Sequence, residues 1–221
     1  MEKMKSLYLL SNLNEDTYFK KNVIENIEKD LISKDSLVFI ASSPYGYEKT
    51  DKYFNINKEW FETEGMKFNN YYLLDYRVNK PDSINYLVNS TCIVLMGGFT
   101  REQYAYLKEF NLIEILQGHN GVIIGISAGA INLAEKSLSL RGPKDIETIL
   151  YDGIGLTDKT IFPHFDINDR NHLDELIKYS NKTVIYGICE NSTIIERGSE
   201  KIIIGDIYRI FKEKIDKINE F

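Results

Sequence analysis

The chain alternates short apolar runs with longer amphipathic stretches over its first two-thirds. Each apolar run has the length of a β-strand, and the stretch after it repeats hydrophobic residues at steps of three and four, as an amphipathic helix does. This pattern predicts five strand–helix units, with strands in segments 6–12, 36–43, 69–76, 91–98 and 121–127. Apolar strands that are each followed by a helix indicate a parallel sheet with helices on both faces.

The amphipathic spacing also predicts where the helices lie. We expect helices over residues 15–32, from the Pro44–Gly46 loop to about Glu64, shortly after Pro81, and over 100–116, 128–138 and 168–180.

Apolar segments of the last third lie closer together, at 161–166, 183–189, 192–198 and 201–210. Closely spaced strands suit β-hairpins, and we expect them to form a mixed edge of the same sheet. The sequence therefore predicts a single α/β domain over residues 1–221. Its fold class is a three-layer sandwich, with a mainly parallel central sheet flanked by helices and β-hairpin strands near the C-terminus.

Composition and charge exclude several classes of protein. A hydrophobic content of 43% and a charged content of 27% are typical of a globular domain. The net charge of -6 predicts no nucleic-acid partner, because no basic surface offsets the acidic balance. The apolar runs are too short to span a bilayer, and the N-terminus lacks the roughly 7–15 apolar residues of a signal peptide. We therefore expect a cytoplasmic protein that does not bind membranes.

Two cysteines, Cys92 and Cys189, lie within or at the end of apolar strand-like runs. Buried thiols in a reducing compartment account for them better than a disulfide or a metal site. The sequence thus predicts no metal. It leaves the oligomeric state open, with a homodimer among the possibilities.

A serine follows the fifth predicted strand, in the segment GVIIGISAGA (121–130). Ligands of open α/β sheets bind at the carboxyl ends of the strands, where Ser127 falls. Gly125 and Gly129 remove side chains that would crowd a nucleophile on a sharp strand-to-helix turn. The Ala128 amide, at the helix start, would point towards an acyl oxyanion. The alternative is a serine that only caps the helix.

A second pair of glycines, Gly97 and Gly98, ends the fourth predicted strand in VLMGGFT. Glycines there let backbone N–H groups approach a substrate, so Gly98 is the candidate for a second oxyanion donor. The alternative is a tight turn in which glycine only relieves crowding.

Three histidines are available as a general base. His119 lies in a polar turn and His172 on a charged helix, and we expect both on the surface. His164, in IFPHFD, follows an apolar strand and Pro163, so it can be held rigidly at a sheet edge. It is the leading candidate for the base.

A carboxylate should orient that imidazole. Glu190 ends the apolar strand TVIYGIC and is the preferred candidate. Asp166 is the fallback, although it stands only two positions after His164, and Asp152 is a further competitor.

Four motifs in this order, MGGFT, GISAGA, PHF and GICENSTI, resemble the peptidase E family of serine peptidases, which includes aspartyl dipeptidase and cyanophycinase. The likeness covers about residues 91–205. It implies a flavodoxin-like fold related to class I glutamine amidotransferases, with serine in place of their cysteine. It implies Ser127 as nucleophile, His164 as base and Glu190 as orienting acid, with the Gly98 and Ala128 amides as oxyanion hole. The implied chemistry is acyl transfer on a small peptide, without metal or organic cofactor.

One position departs from the family pattern. Phe99 follows the glycine pair where the family usually has asparagine, and a phenyl ring cannot donate the hydrogen bonds of an amide. An aspartyl dipeptidase also needs a cation for the substrate carboxylate. Arg170, between His164 and Glu190, is the candidate, and a solvated charge at a helix start is the alternative.

Three functions are consistent with these residues. The first is a serine peptidase that acts on small peptides, with dipeptides that begin with Asp as one candidate class. The second is a catalytically silent binding or sensing protein of the same fold, which Phe99 motivates. The third is an amidotransferase-like hydrolase, which would use cysteine at the turn where Ser127 stands, and neither Cys92 nor Cys189 occupies that position.

Overall fold

The computed structural model describes residues 5–12, 19–142 and 146–221. Within them the strands are β1 (Ser6–Leu10), β2 (Ser36–Ile40), β3 (Asn70–Leu74), β4 (Cys92–Leu95), β5 (Val122–Ile126), β6 (Lys136–Ser139), β7 (Ile149–Asp152), β8 (Thr160–Pro163), β9 (Ile185–Ile188), β10 (Thr193–Arg197), β11 (Glu200–Ile204), β12 (Ile207–Phe211) and β13 (Lys214–Ile218). The helices are α1 (Lys21–Asp30), α2 (Tyr47–Thr63), α3 (Lys80–Val88), α4 (Thr100–Glu109), α5 (Ile113–Gly118), α6 (Ala128–Leu133) and α7 (Arg170–Ser180). None of these described helices has the length and apolar character needed to cross a membrane.

The main sheet has seven strands in the order β11-β10-β1-β5-β4-β2-β3. β1 to β5 run parallel to one another, and β10 and β11 extend the sheet antiparallel at one edge. Helices α1 and α2 cover one face, and α3 to α6 cover the other. Because both faces are covered, β1, β2, β4 and β5 are buried along their whole length. The predicted α/β fold with a mainly parallel central sheet is confirmed.

The C-terminal strands form more than an edge of this sheet. Only β10 and β11 take the expected place, while β8, β9, β12 and β13 form a second, four-stranded sheet in the order β13-β12-β9-β8. This sheet has its own small core, in which α7 packs Leu176 against Ile185 and Ile210. The expectation of one mixed edge is therefore wrong for these four strands, which bury a separate apolar face.

Two predicted helices differ from those observed. The helix predicted over 128–138 ends at Leu133, and its second half is strand β6, which pairs antiparallel with the unpredicted β7. The alternation of serine and leucine after Lys136 explains this, since Leu138 packs inward as in a strand. The helix predicted over 100–116 is split into α4 and α5 by Asn111, whose φ is 56°. The first predicted helix, over 15–32, is observed as α1 from Lys21 to Asp30, and the predicted positions 15–18 lie outside the described residues.

Two fully buried amide side chains connect the ends of β2 and β4 with α6. The Gln103 amide donates to the carbonyls of Ile40 and Met96, at 3.2 and 3.1 Å. Asn132 donates to the Gln103 side-chain oxygen at 3.0 Å and to the Thr100 carbonyl at 2.9 Å. Each amide thus pairs its polar atoms away from water, and together they fix the loop after β4 against α6.

Replacing Gln103 with Leu tests this connection. The variant removes one hydrogen bond from each of the buried Ile40 and Met96 carbonyls and one from the Asn132 amide, so we expect the free energy of unfolding to fall by about 2–3 kcal/mol. Urea denaturation measures the change. Ala105→Leu, on the exposed face of the same helix, should change it by less than about 0.5 kcal/mol. Equal stability of Gln103→Leu and the unmodified chain would show that the connection is dispensable.

Candidate active site

Ser127 occupies a strained turn between β5 and α6. Its backbone has φ 50° and ψ −108°, in a region that non-glycine residues rarely adopt. The Ser127 N–H donates to the Leu10 carbonyl of β1 at 2.9 Å, and the Ile131 N–H donates to the Ser127 carbonyl at 3.1 Å. The serine side chain makes no capping hydrogen bond to α6. Its hydroxyl is therefore directed elsewhere, and the alternative of a simple helix cap does not hold.

Glycines on either side of Ser127 let α6 lie directly against the sheet. A Cβ at Gly129 would come within 2.2 Å of the Leu95 carbonyl oxygen, and one at Gly125 within 2.7 Å of the Ala130 backbone. Neither position has room for a side chain. The glycines thus serve the close approach of helix and strand that shapes the turn, and not only the space around the hydroxyl.

His164 follows β8 and also has a positive φ, of 56°. Its N–H donates to Ser11 Oγ at 2.7 Å, and the next N–H, of Phe165, donates to the Ile188 carbonyl of β9 at 3.0 Å. These bonds hold the residue between the ends of β1 and β9. From this position the imidazole reaches the serine, with Nε2 at 2.8 Å from Ser127 Oγ.

Glu190 lies two residues beyond β9. Parallel pairing of β8 with β9 matches Pro163 to Ile188, so the residues that follow the two strands meet at the same sheet edge. Glu190 Oε1 is 2.6 Å from His164 Nδ1. The side chains of His164 and Glu190 are 43% and 48% exposed, so the pair borders on solvent.

The three side chains form a hydrogen-bonded chain that can carry a proton. When the imidazole proton is on Nδ1, His164 donates to Glu190, and Nε2 is free to accept from the Ser127 hydroxyl. A hydroxyl in this contact can lose its proton as the oxygen attacks an electrophilic carbon. The arrangement therefore suits acyl transfer through a serine nucleophile.

The two predicted oxyanion donors are Gly98 and Ala128. Neither N–H has an acceptor among the described residues. Ala128 begins α6, where the first N–H groups lack partners within the helix. Gly98 has φ 139°, and a Cβ there would come within 2.2 Å of Ser42 Oγ, so the loop needs glycine. Gly98 lines the same cleft as Ser127.

A cleft of about 550 Å³ opens beside Ser127 and His164. Among the described residues that line it, Lys49 alone carries a permanent charge, and its ammonium lies 5.3 Å from the centre of the Phe99 ring. Arg170, the predicted substrate-binding cation, is exposed at the start of α7 and does not line this cleft. Among the described lining residues, Lys49 is therefore the cation that can bind an anion in this cleft.

The competing carboxylates have other partners. Asp166 accepts two hydrogen bonds from Asn168, at 2.9 and 3.0 Å, and Asp152 pairs with a lysine of β6. Of the three candidate acids, Glu190 is the one that contacts His164 in the described part of the chain.

The other two histidines lie away from the cleft. His172 pairs with Asp169 at 2.7 Å on α7, half exposed as expected. His119 is buried at the end of α5, so the expected surface position is wrong for it.

Neither cysteine takes the place of the serine. Cys92 is buried inside β4, and burial raises the pKa of its thiol strongly. Burial, followed by the charge of Asp206, also raises the pKa of the Cys189 thiol. A raised pKa lowers the fraction of reactive thiolate, so these residues give the amidotransferase-like alternative no support. In the residues that the structure describes, no group of three or more His, Cys, Asp or Glu side chains is arranged to hold a metal ion.

Sequence reasoning missed the contribution of α2 to the cleft. Lys49 and Asn57 both line it, one near the start of the helix and one two turns further on. Asn57 offered a signal, because it is a polar residue on the helix face that also holds Phe54 and Phe61. Lys49 offered no such signal, since most lysines of a globular protein lie on its surface.

The model of peptidase family S51 matches residues 7–204. No curated protein sequence matches the chain. Among solved structures, that of a peptidase from an acI-B1 Actinobacterium superposes with a TM-score of 0.73 at 17% sequence identity, over 100% of this chain and 96% of the other. A candidate peptidase E protein of Listeria monocytogenes EGD-e gives 0.68 at 22% identity, over 91% and 98%.

At these identities the two solved structures show a shared fold. The family model goes further, because the matched segment runs from β1 to β11 and includes Ser127, His164 and Glu190. The resemblance to peptidase E that the sequence motifs carry is confirmed. The chain belongs to peptidase family S51 and is a serine peptidase.

Proposed function

We propose that the protein hydrolyses small peptides through an acyl-enzyme, with Ser127 as nucleophile, His164 as general base and Glu190 as the acid that orients the imidazole. The observation that carries this proposal is the hydrogen-bonded chain of these side chains, at 2.8 and 2.6 Å, from three separate parts of the sequence. The strained backbone of Ser127 adds support, since such strain concentrates at functional sites.

The steps follow from the positions of these groups. His164 Nε2 takes the hydroxyl proton as Ser127 Oγ attacks the peptide carbonyl carbon, and the resulting oxyanion accepts from the Gly98 and Ala128 N–H groups. The tetrahedral intermediate collapses, the C–N bond breaks, and the imidazolium protonates the leaving amine. A water molecule then loses a proton to His164 as it attacks the ester. Collapse of the second intermediate releases the acid, and the proton returns to Ser127.

The cleft supports a small, anionic peptide as substrate. Its volume of about 550 Å³ is in the range of small-ligand sites. We propose that a carboxylate of the peptide lies against Lys49, in place of the contact with Arg170 that the sequence predicts. An N-terminal Asp carries such a group on its side chain, and every unmodified peptide carries one at its C-terminus. Phe99 packs beside the lysine ammonium and so helps to fix its position.

Ser127→Ala tests the nucleophile. We expect a fluorophosphonate probe to label the unmodified protein and not the variant, and dipeptide hydrolysis to fall by more than about a thousandfold. Mass spectrometry and release of free amino acids measure the two effects. Ser199→Ala, at an exposed serine in the turn after β10, is the matched control and should retain both. An unlabelled wild-type protein that hydrolyses no member of a broad dipeptide panel would instead favour the catalytically silent binding protein.

The Lys49→Met and Arg170→Met pair tests which cation binds the carboxylate. Loss of a charge-assisted contact should raise KM about tenfold or more in Lys49→Met, with a smaller change in kcat. Arg170→Met should leave both constants nearly unchanged. Steady-state kinetics on Asp-Leu, Ala-Leu and Ala-Leu-amide show whether the side-chain or the terminal carboxylate is involved. The opposite pattern, with the loss in Arg170→Met alone, would restore the assignment made from the sequence.

A further inference from the structure

One nearly buried amide on α2 has no hydrogen-bond partner among the described residues and is reached by water through the cleft. Asn57 is 4% exposed, and no described residue donates to it or accepts from it. The small part of its surface that remains accessible opens onto the cleft beside Ser127. Gln103 and Asn132, which are buried to a similar degree, each pair their amide groups completely. Asn57 thus differs from these two amides in the described part of the chain.

A nearly buried amide that only cleft water can pair adds less stability than a hydrocarbon of similar size at the same position. Asparagine is also a poor residue for a helix interior. A group that costs stability and faces the cleft of a nucleophile is explained if it binds substrate. Water that enters the cleft can pair with this amide in the free protein, and a ligand that displaces the water must then replace its hydrogen bonds.

The residues around Asn57 make a defined compartment, here called the α2 subsite. It consists of Thr50, Tyr53, Asn57 and Trp60, all of which line the cleft. Their spacing of three, four and three residues places them on one face of the helix. Tyr53 and Trp60 supply aromatic walls, and the Thr50 hydroxyl already donates to the Ser43 carbonyl at 3.0 Å. The compartment is thus apolar at its sides, with one free amide.

Charge decides which side chain of a substrate fits beside this amide. Lys49, the one permanently charged residue among the described lining residues, precedes Asn57 by eight positions, which is about 12 Å along a helix. A carboxylate beside Asn57 would lie two helical turns from Lys49, whose ammonium is 5.9 and 5.3 Å from the centres of the Tyr53 and Phe99 rings, and would lose water without a direct ion pair. A carboxamide suits the place, because it offers one acceptor and one donor to the donor and acceptor of Asn57. A hydrocarbon head would leave both groups unpaired.

We propose that the α2 subsite selects a substrate residue with a carboxamide side chain, glutamine or asparagine, through a reciprocal hydrogen-bonded pair with Asn57. This inference rests on the proposed function, since it concerns the substrate of the same cleft. It assigns Lys49 to a carboxylate elsewhere on the peptide and Asn57 to an uncharged side chain.

Hydrolysis of near-isosteric dipeptides tests the proposal. The probes are Gln-Ala, Glu-Ala and Met-Ala, with Ala-Gln, Ala-Glu and Ala-Met for the other side of the scissile bond. We expect kcat/KM for glutamine to exceed that for glutamate and methionine about tenfold at one of the two positions. Asn57→Leu should abolish this preference and favour methionine. Asn55→Leu, the same change on the exposed side of the same helix, should keep it.

Thermal unfolding separates a binding role from a structural one. If Asn57 is kept for substrate, Asn57→Leu should leave Tm unchanged or raise it by up to about 2–4 °C, because it replaces a nearly buried amide that has no partner among the described residues. A lower Tm together with an unchanged glutamine preference would make Asn57 a structural residue and overturn the proposal.

Binding to Ser127→Ala separates this inference from the proposed function. Isothermal titration calorimetry of the same dipeptides should give the glutamine preference without turnover, and Ser127→Ala/Asn57→Leu should lose it. A preference in binding without hydrolysis by the unmodified protein would sustain the subsite while the peptidase proposal fails. Hydrolysis with equal or better use of glutamate and methionine would sustain the peptidase and overturn the subsite.

Discussion

The turn at Ser127 is the constraint on which the site depends. A central strand of the main sheet ends, the chain takes a positive φ, and α6 starts at once. Such a turn is tolerated because its surroundings over-determine it: the β1 carbonyl of Leu10 binds the Ser127 N–H, and α6 lies so close that Gly129 has no room for a Cβ. The buried Gln103–Asn132 pair then holds the loop with Gly98 against the same helix. Packing and paired amides thereby hold the strained backbone conformation in place.

The two sheets divide the site between them. The serine belongs to the main sheet, whereas His164 and Glu190 follow neighbouring parallel strands of the second sheet. The hydrogen bond from the His164 N–H to Ser11 Oγ, beyond β1, connects the two directly. Relative placement of the sheets therefore sets the 2.8 Å contact between imidazole and hydroxyl, so substitutions at Ser11 would act on the site from outside it.

Much of the fold follows from the sequence because apolar strands and amphipathic helices carry their own periodicity, as β1 to β5 illustrate. The second sheet could not be predicted, because the order of strands depends on which sheet faces pack together. The strand after Leu133 could not be predicted either, because it forms where Leu138 packs into the small core of the second sheet. For the site, glycine and strand-end patterns placed Ser127, His164 and Glu190 where the structure brings them into contact, while their catalytic roles stay predictions. The cation that lines the cleft is Lys49 and not Arg170, and this could not be predicted, because the sequence does not show which surface a lysine or arginine faces.

In the proposed mechanism, the strained Ser127 is a nucleophile, and two backbone N–H groups stabilise the oxyanion that its attack forms. The most direct measurement is a crystal structure of the protein with a peptide aldehyde. We expect a tetrahedral adduct on Ser127 Oγ, with its oxygen about 2.7–3.1 Å from the Gly98 and Ala128 nitrogens. An aldehyde that leaves Ser127 unmodified, or an adduct whose oxygen points away from both amides, would contradict this mechanism.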